Sequence, residues 1–365
     1  MANRYLILST TLQYSFYLAC SWLWCLGGFL PLILARDYGW PALAAFTFFN
    51  VGGAIAMGFY FKNRRHQHTF ESKHKPMIGF FSYVTIAYQL FFIAWLGTLI
   101  SQPFLPASVL AIAFIIYLSR GGINHWALII YLLSIALFII FLRSDTPPID
   151  ISSKDNWPHA ILPLAIGFLL SPYLDITFHR AYKSSDNPKV SFAIGFGIMF
   201  LSLLGFVVFY AGSLSDVFFF QAVPSAIIYP VIGFLVLQIA FTIAAHCSEL
   251  CKQQYLKPSH LASAVVAFSL VSTGFLTIGE GETVLWSDLP LAETLYKSFL
   301  FFYSLVFPLY LLVGKSKPIF LWLLGISTPA YCVGFLIGGE YSYSLTIGVA
   351  VLFLAVAFTR KKELN

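Results

Sequence analysis

Apolar runs of about twenty residues follow one another almost without interruption along this chain. Wound as a helix rising about 1.5 Å per residue, a run of that length matches the ~30 Å hydrocarbon core of a bilayer. Lipid offers no hydrogen-bonding partner, so a backbone inside it must satisfy itself, and only helices and closed barrels do so. The runs here are continuous rather than alternating, which selects helices. Composition agrees: 59% of the 365 residues are hydrophobic and 10% are charged, against about 25% charged in soluble domains. No hydrophilic stretch is long enough for a soluble domain. The N-terminal MANRYLILS enters the first apolar run without a small-residue cleavage site, and it is expected to be retained.

The sequence therefore predicts an all-α polytopic membrane protein of about 12 transmembrane helices in a single transmembrane domain, 1–365. The candidate spans are 6–35, 40–61, 77–101, 104–118, 125–143, 159–182, 190–212, 219–248, 259–278, 294–313, 317–338 and 343–359. Loop charge tests that count. With the N-terminus cytoplasmic, seventeen of the 21 Lys and Arg fall on the inner side. Arg36, Arg143, Lys154 and Lys297 fall outside. This obeys the positive-inside rule, with both termini cytoplasmic. The net charge of +6 is then a topology signal whose natural partner is anionic membrane lipid, not nucleic acid. The five cysteines lie in or beside apolar runs and form no extracellular disulfide framework.

Two segments echo each other. GFLPLILARDYGWPALAAFTFFNVGGAIAMGFY covers 28–60, and GFLLSPYLDITFHRAYKSSDNPKVSFAIGFGIMFLSLLGFVVFY covers 167–210. Each opens on Gly-Phe-Leu, meets a proline, and reaches an Arg at the helix end. Each then enters a Gly-rich span that closes on Phe-Tyr. Gln89 and Gln238 sit at similar depths in their own spans. Five spans precede the loop at 144–158 and five follow it, with two more beyond. An odd number of spans per unit inverts one copy against the other, a common plan of secondary transporters. The expected organisation is a first five-helix repeat over 6–143, a second over 159–313, and two additional helices over 317–359. In such proteins the first helix of each repeat is broken where it lines a cavity. Gly167 and Ser171-Pro172 supply a break in the sixth span. Gly27, Gly28 and Pro31 are expected to supply one in the first.

This pattern of five plus five plus two spans, with helices 1 and 6 broken, resembles the LeuT-type fold of the amino acid–polyamine–cation superfamily. Ser171-Pro172-Tyr173 followed by Phe178-His179-Arg180, with YGWPALAAFTFFNVGGAIAMG as the paired second span, is most similar to the sodium–solute symporter and nucleobase–cation symporter-1 families. The cytosine-permease-like members carry an acidic residue just before the aromatic, where this chain has Thr177, with Asp175 two residues earlier. The resemblance implies a cation-coupled symporter of a small polar organic solute, nucleobase-like or amino-acid-like, with Na+ or H+ as coupling ion and no cofactor. It also implies a sodium position formed by carbonyls at the first-helix break and a hydroxyl on the eighth span. Thr242 is the candidate hydroxyl, although the usual adjacent pair of hydroxyls is missing.

Polar residues inside the runs mark the candidate site. Ser21, Trp22, Gly27, Gly28, Tyr88, Gln89, Ser171, Pro172, Tyr173 and Gln238 are the substrate-binding candidates, with Trp24 a further aromatic wall. Gln89 and Gln238 bury amides that either bind solute or tie helices together. Asp175 stands about 7 Å inside the inner helix end that Arg180 marks. The two are expected to form a gate ion pair, with Asp175 also a proton site. Thr242 lies about 15 Å from Lys252, near mid-bilayer, and His246 follows one turn later on the same face. Thr242, His246 and Asp175 are the candidates for cation or proton coupling. Ser269, Ser272 and Thr273 share a face and read as packing contacts. His246, Cys247, Glu249 and Cys251 match no zinc spacing, so no metal site is expected. His66, His68 and His74 lie in a basic loop between spans.

Other classes fit less well. No HExxH or GxSxG motif occurs, and the histidines are too scattered for a diiron hydroxylase. No lysine lies mid-span, which excludes a retinal protein. An integral membrane enzyme acting on a lipid-linked substrate and a non-transporting subunit of a membrane complex are the alternatives to a transporter. The expected location is the inner, plasma membrane. Substrate identity and oligomeric state are not encoded in any motif.

Overall fold

The computed structural model describes residues 2–23, 25–119, 122–144, 157–218, 223–278, 291–314, 317–337 and 339–363. Among these residues there are helices and no strand. Helices occupy the apolar runs: α1 (Ala2–Trp22), α2 (Cys25–Tyr38), α3 (Trp40–Tyr60), α4 (Arg64–Leu99), α5 (Leu105–Leu118), α6 (Ile123–Leu142) and α7 (Trp157–Leu170). Then come a tight turn, Ser171–Leu174, and α8 (Ile176–Ser184). A rod made of α9 (Pro188–Ile194), a wide turn (Gly195–Phe200) and α10 (Leu201–Phe218) precedes α11 (Ser225–Lys252) and α12 (Pro258–Ile278). The last elements are α13 (Leu291–Phe301), a wide turn (Phe302–Val306), α14 (Phe307–Val313), α15 (Lys317–Cys332), a third wide turn (Val333–Ile337) and α16 (Tyr343–Glu363). Among the described residues nine helical stretches are long and apolar enough to cross a bilayer, with Leu105–Leu118 and Tyr343–Leu354 as shorter apolar helices. The chain is a polytopic membrane protein. The loops 145–156 and 279–290, which carry most of the expected outer acidic residues, lie outside the described residues.

Contacts divide the chain into two compact units. One comprises Met1–Ile33, Ala54–Asp150 and Tyr173–Ile278; the other comprises Leu34–Gly53, Ile151–Pro172 and Gly279–Asn365. In the first unit α11 packs on α5 and α6, α4 packs on α12, and α1 runs against α6 and the α9 end of its rod. The apolar windows of α4 and α11 are 72% buried, whereas those of α6 and α12 are 22% buried. Ile129, Leu132, Leu133, Leu270 and Val271 on α6 and α12 are exposed, as lipid-facing positions are in a bilayer. Close approach of α1 to the rod depends on Gly195, whose added Cβ would stand 2.9 Å from the Ser15 carbonyl oxygen. In the second unit α7 packs on α14, α16 and the wide turn after α13, while α15 packs on α16. The end of α2 is joined to α13 by a charge network. Asp37 accepts from Lys297 Nζ and Arg36 Nε, both at 2.8 Å, and Arg36 also pairs with Glu293.

Three expectations are corrected. Gly27, Gly28 and Pro31, expected to break the first span, all lie within α2, which begins at Cys25 after α1 ends at Trp22. Trp24 itself lies outside the described residues. The third span is much longer than 77–101. Residues 64–76, expected as a loop carrying His66, His68 and His74, are the first turns of α4. Asn63 starts that helix, its side chain accepting from His66 N at 2.9 Å. Buried Gln67 and His74 anchor these polar turns. Pro76 lacks an N–H but the helix continues through it, and the Tyr255 hydroxyl donates to the nearby Lys75 carbonyl at 2.8 Å. Third, the sixth span is broken as expected at Ser171-Pro172, but it restarts at Asp175, whose carboxylate caps α8.

Gly167 tests the packing of the second unit. A Cβ there would stand 2.5 Å from the Tyr303 carbonyl oxygen and 3.1 Å from Ser304 Cα. Both are backbone atoms that cannot swing aside. Gly167→Ala is expected to lower the unfolding midpoint by an equivalent of about 1–3 kcal/mol. Gly205→Ala, with nothing within 4 Å, should be neutral or mildly stabilising. An unchanged midpoint for Gly167→Ala would rule out the close approach.

Candidate functional site

The break after Pro172 places a helix N-terminus and a carboxylate inside the first unit. Asp175 adopts an extended backbone, φ −78° and ψ 118°, so α8 begins at the next residue. Its Oδ1 accepts from Thr177 N at 2.7 Å and from Thr177 Oγ1 at 2.6 Å. This is the standard reason an Asp starts a helix: it covers donors that the first turn leaves free, at the positive end of the helix dipole. The residue is fully buried. Its Oδ2 has no hydrogen-bond partner and faces His246 Nε2 at 3.8 Å, within ion-pair reach but beyond a hydrogen bond. His246 is also fully buried; its Nδ1 lies 3.1 Å from Ser82 Oγ on α4. Thr177 Oγ1 lies 3.1 Å from Ser21 Oγ near the end of α1. Ser21, Asp175, Thr177, Ser82 and His246 thus form one buried polar cluster drawn from α1, α8, α4 and α11.

A second polar layer joins α1 to α11. Thr242 Oγ1 donates between two carbonyls, Gln238 at 3.0 Å and Cys20 at 3.2 Å. Gln238 Nε2 donates to Ser134 Oγ on α6 at 2.9 Å, and its Oε1 has no partner. Gln238 and Thr242 therefore hold the end of α1 where its helix stops. Gln89 is fully buried on α4, and neither Oε1 nor Nε2 has a hydrogen-bond partner among the described residues. Seven residues separate it from Ser82, which is two helical turns on the same face, about 10 Å apart. Along this stretch of α4, Phe81 stacks with Trp22 on α1 and Phe92 contacts Phe29 on α2. Along α4, Gln89 lies between those two contacts.

The remaining candidates are distributed differently. Arg180 does not pair with Asp175. It donates to Glu249 Oε1 on α11 at 2.7 Å and lies over the Tyr17 ring at 5.1 Å. The physical reason is angular: five residues along a helix turn a side chain by about 140° from its start, whereas four bring it back to the same face. In place of the expected Asp175–Arg180 gate pair, Arg180 forms an ion pair with Glu249 between α8 and α11, with Lys252 3.2 Å from the same carboxylate oxygen. Trp22 is fully packed between Phe81 and Phe178. Tyr88 is half-buried on α4. Gly28 is a packing glycine: its carbonyl accepts from Tyr210 OH at 2.6 Å, and a Cβ would meet Leu235 at 2.9 Å. Gly27 lies in the first turn of α2. Tyr173 joins an aromatic group with Tyr60, Phe61 and Phe70, and its carbonyl accepts from His179 Nε2 at 2.9 Å. Ser171 and Pro172 belong to the second unit, where Ser171 Oγ donates to the Tyr303 carbonyl at 3.4 Å.

Several functional contacts were not singled out from the sequence. Ser82 was an unremarked serine in an apolar run, though its spacing of seven from Gln89 could have marked a polar stripe. Glu249 was weighed only as a metal ligand. Gln67 bridges Glu71 and His179, at 2.9 and 3.0 Å, within a stretch read as loop. Among the described residues no group of three or more His, Cys, Asp or Glu could hold a metal ion. Comparison with protein-family models, with characterised proteins and with solved structures finds no match to this chain.

The Arg180–Glu249 pair is largely enclosed, with side chains 13% and 7% exposed. Removing one partner strands the other, so Arg180→Met alone should cost more than its share of the Arg180→Met/Glu249→Leu double variant. A double-mutant cycle on unfolding midpoints is expected to give a coupling of ~0.5–3 kcal/mol. Strict additivity would remove the pair as a structural latch.

Proposed function

We propose that this chain is a secondary active transporter, a cation-coupled symporter of a small polar organic solute that works by alternating access. Counting α1 with α2 as one span, α7 with α8 as another, and both short apolar helices, the chain crosses the bilayer twelve times. Both termini are then on the cytoplasmic side of a plasma membrane. The reading takes the first ten spans as two inverted five-helix repeats, each opening on an interrupted helix.

One observation carries this reading. Around the restart of the sixth span and along α4, buried polar atoms have no hydrogen-bond partner among the described residues: Asp175 Oδ2, His246 Nε2, which faces it at 3.8 Å, and both amide atoms of Gln89. Buried polar groups are normally satisfied, and exceptions concentrate where something binds. Inside a membrane, irregular backbone and ionisable side chains persist where they line a path. The Gln89 amide offers a donor and an acceptor side by side, which suits a solute with an amide-like edge. The α8 N-terminus and Asp175 suit the coupling cation, sodium or proton.

A thermal-unfolding screen of the purified protein tests the reading. Nucleobases, amino acids, sugars and vitamins are added one at a time, each with sodium and with potassium. A bound solute at about a hundred times its Kd adds about 2.7 kcal/mol to stability and raises the midpoint. Asp175→Asn keeps a good helix cap, so it should preserve the fold while abolishing concentrative uptake of that solute. No shift with any compound would contradict the assignment, whereas full uptake by Asp175→Asn would remove only Asp175 from the coupling.

A further inference from the structure

The proton count around His246 follows from its neighbours. Ser82 Oγ has one proton, and it is donated to the Ile78 carbonyl at 3.2 Å. With the hydroxyl proton so placed, that oxygen accepts from His246, 3.1 Å away, and the tautomer assigned from this network carries its proton on Nδ1. In a neutral imidazole Nε2 is then a bare lone pair. It faces Asp175 Oδ2, which has no hydrogen-bond donor of its own, at 3.8 Å, and with that carboxyl ionised Oδ2 is an acceptor too. Two acceptors confront each other in a fully buried position. Such an arrangement is costly unless a positive charge sits between them.

Resting on the transporter reading, we propose that the coupling ion is a proton, bound on His246 Nε2 against Asp175 Oδ2. One proton from water forms the N–H bond, and the pair changes from a net charge of −1 to zero; release returns the same proton to water. No redox partner is needed. Nitrogen and a single carboxylate oxygen suit a proton better than sodium, which takes several oxygen ligands. Among the described residues no Lys or Arg forms an ion pair with Asp175. From α8, Arg180 is held by Glu249 of α11 at 2.7 Å, and His179 is held by Gln67 and the Tyr173 carbonyl. From α1 the titratable neighbour is the phenol Tyr17. Lys189 of α9 is exposed. Protonation thus ties the start of α8 to α11, and deprotonation leaves a buried carboxylate that favours water entry and opening of that contact.

The test uses the full chain with nitrogen-15-labelled histidine in lipid nanodiscs. The proton itself is the probe, read by NMR of the imidazole nitrogens from about pH 5 to about pH 8, the range in which histidine ordinarily titrates. The His246 signal is the one lost in His246→Gln. The proposal expects a doubly protonated imidazole at the acid end and an Nδ1–H tautomer at the basic end. Asp175→Asn should remove the doubly protonated signal of His246 and leave the other histidines unchanged. Ser82→Ala removes no charge and should move the basic-end tautomer to Nε2–H. A His246 that stays neutral throughout in the native protein, or that keeps its doubly protonated signal in Asp175→Asn, would overturn the proposal. Titration in a protein that moves no solute would support the proton site and remove the carrier reading. Concentrative uptake retained by Asp175→Asn would support the carrier and overturn the proton site.

Discussion

Every interruption of a helix in lipid frees backbone carbonyls and N–H groups that no solvent will satisfy, and this constraint organises the whole structure. Side chains meet the debt at each break. Asp175 covers the start of α8, and His179 covers the Tyr173 carbonyl just before it. Thr242 reaches the Cys20 carbonyl at the end of α1, and Tyr210 reaches the Gly28 carbonyl at the start of α2. In the second unit the wide turns are treated alike: Tyr331 OH donates to the Ser304 carbonyl at 3.1 Å, and Tyr38 OH to the Gly334 carbonyl at 3.5 Å. Polar residues that looked in the sequence like ligands are, in many cases, the groups that make a broken helix tolerable.

That division separates structure from function within the site. Thr242, His179 and Tyr210 use their donors on backbone and have little left to offer a solute. Asp175 uses one oxygen on the helix and leaves the other free. His246 uses one nitrogen on Ser82 and leaves the other free. Gln89 leaves both amide atoms free. The groups with spare capacity lie on α4, α8 and α11 around the ends of α1 and α8, where a transporter would need them. The Arg180–Glu249 pair joins α8 to α11 closer to the C-terminal ends of both helices than the Asp175–His246 pair.

The membrane class and the helix positions were legible because they depend on the length of apolar runs, which is a local property. The break at Ser171-Pro172 was legible for the same reason: a proline removes a hydrogen bond wherever it falls. No break falls at Gly27, Gly28 and Pro31, because glycine and proline are both tolerated inside membrane helices and these residues sit within α2 without ending it. The polar start of α4 was hidden because its partners are remote: Gln253 reaches Glu71, and Tyr255 reaches the Lys75 carbonyl, across 182 and 180 positions. Separations of 257 and 260 positions likewise hid Glu293 and Lys297 as partners of Arg36 and Asp37. Asp175 could have been read as a helix cap from the residues before it, since an Asp after a proline break and before an apolar-periodic stretch is a start signal.

The central claim is that a buried polar path at the helix breaks opens to each side of the membrane in turn. The most direct measurement is modification of a cysteine placed at Ser21, in a variant lacking the native cysteines, by membrane-impermeant thiol reagents applied to one face of sealed proteoliposomes at a time. Ser21 is fully buried in the present conformation, so the account predicts slow modification from both faces, with bound solute or acid pH shifting the balance between them. Modification from one face alone, or none under any condition, would contradict it.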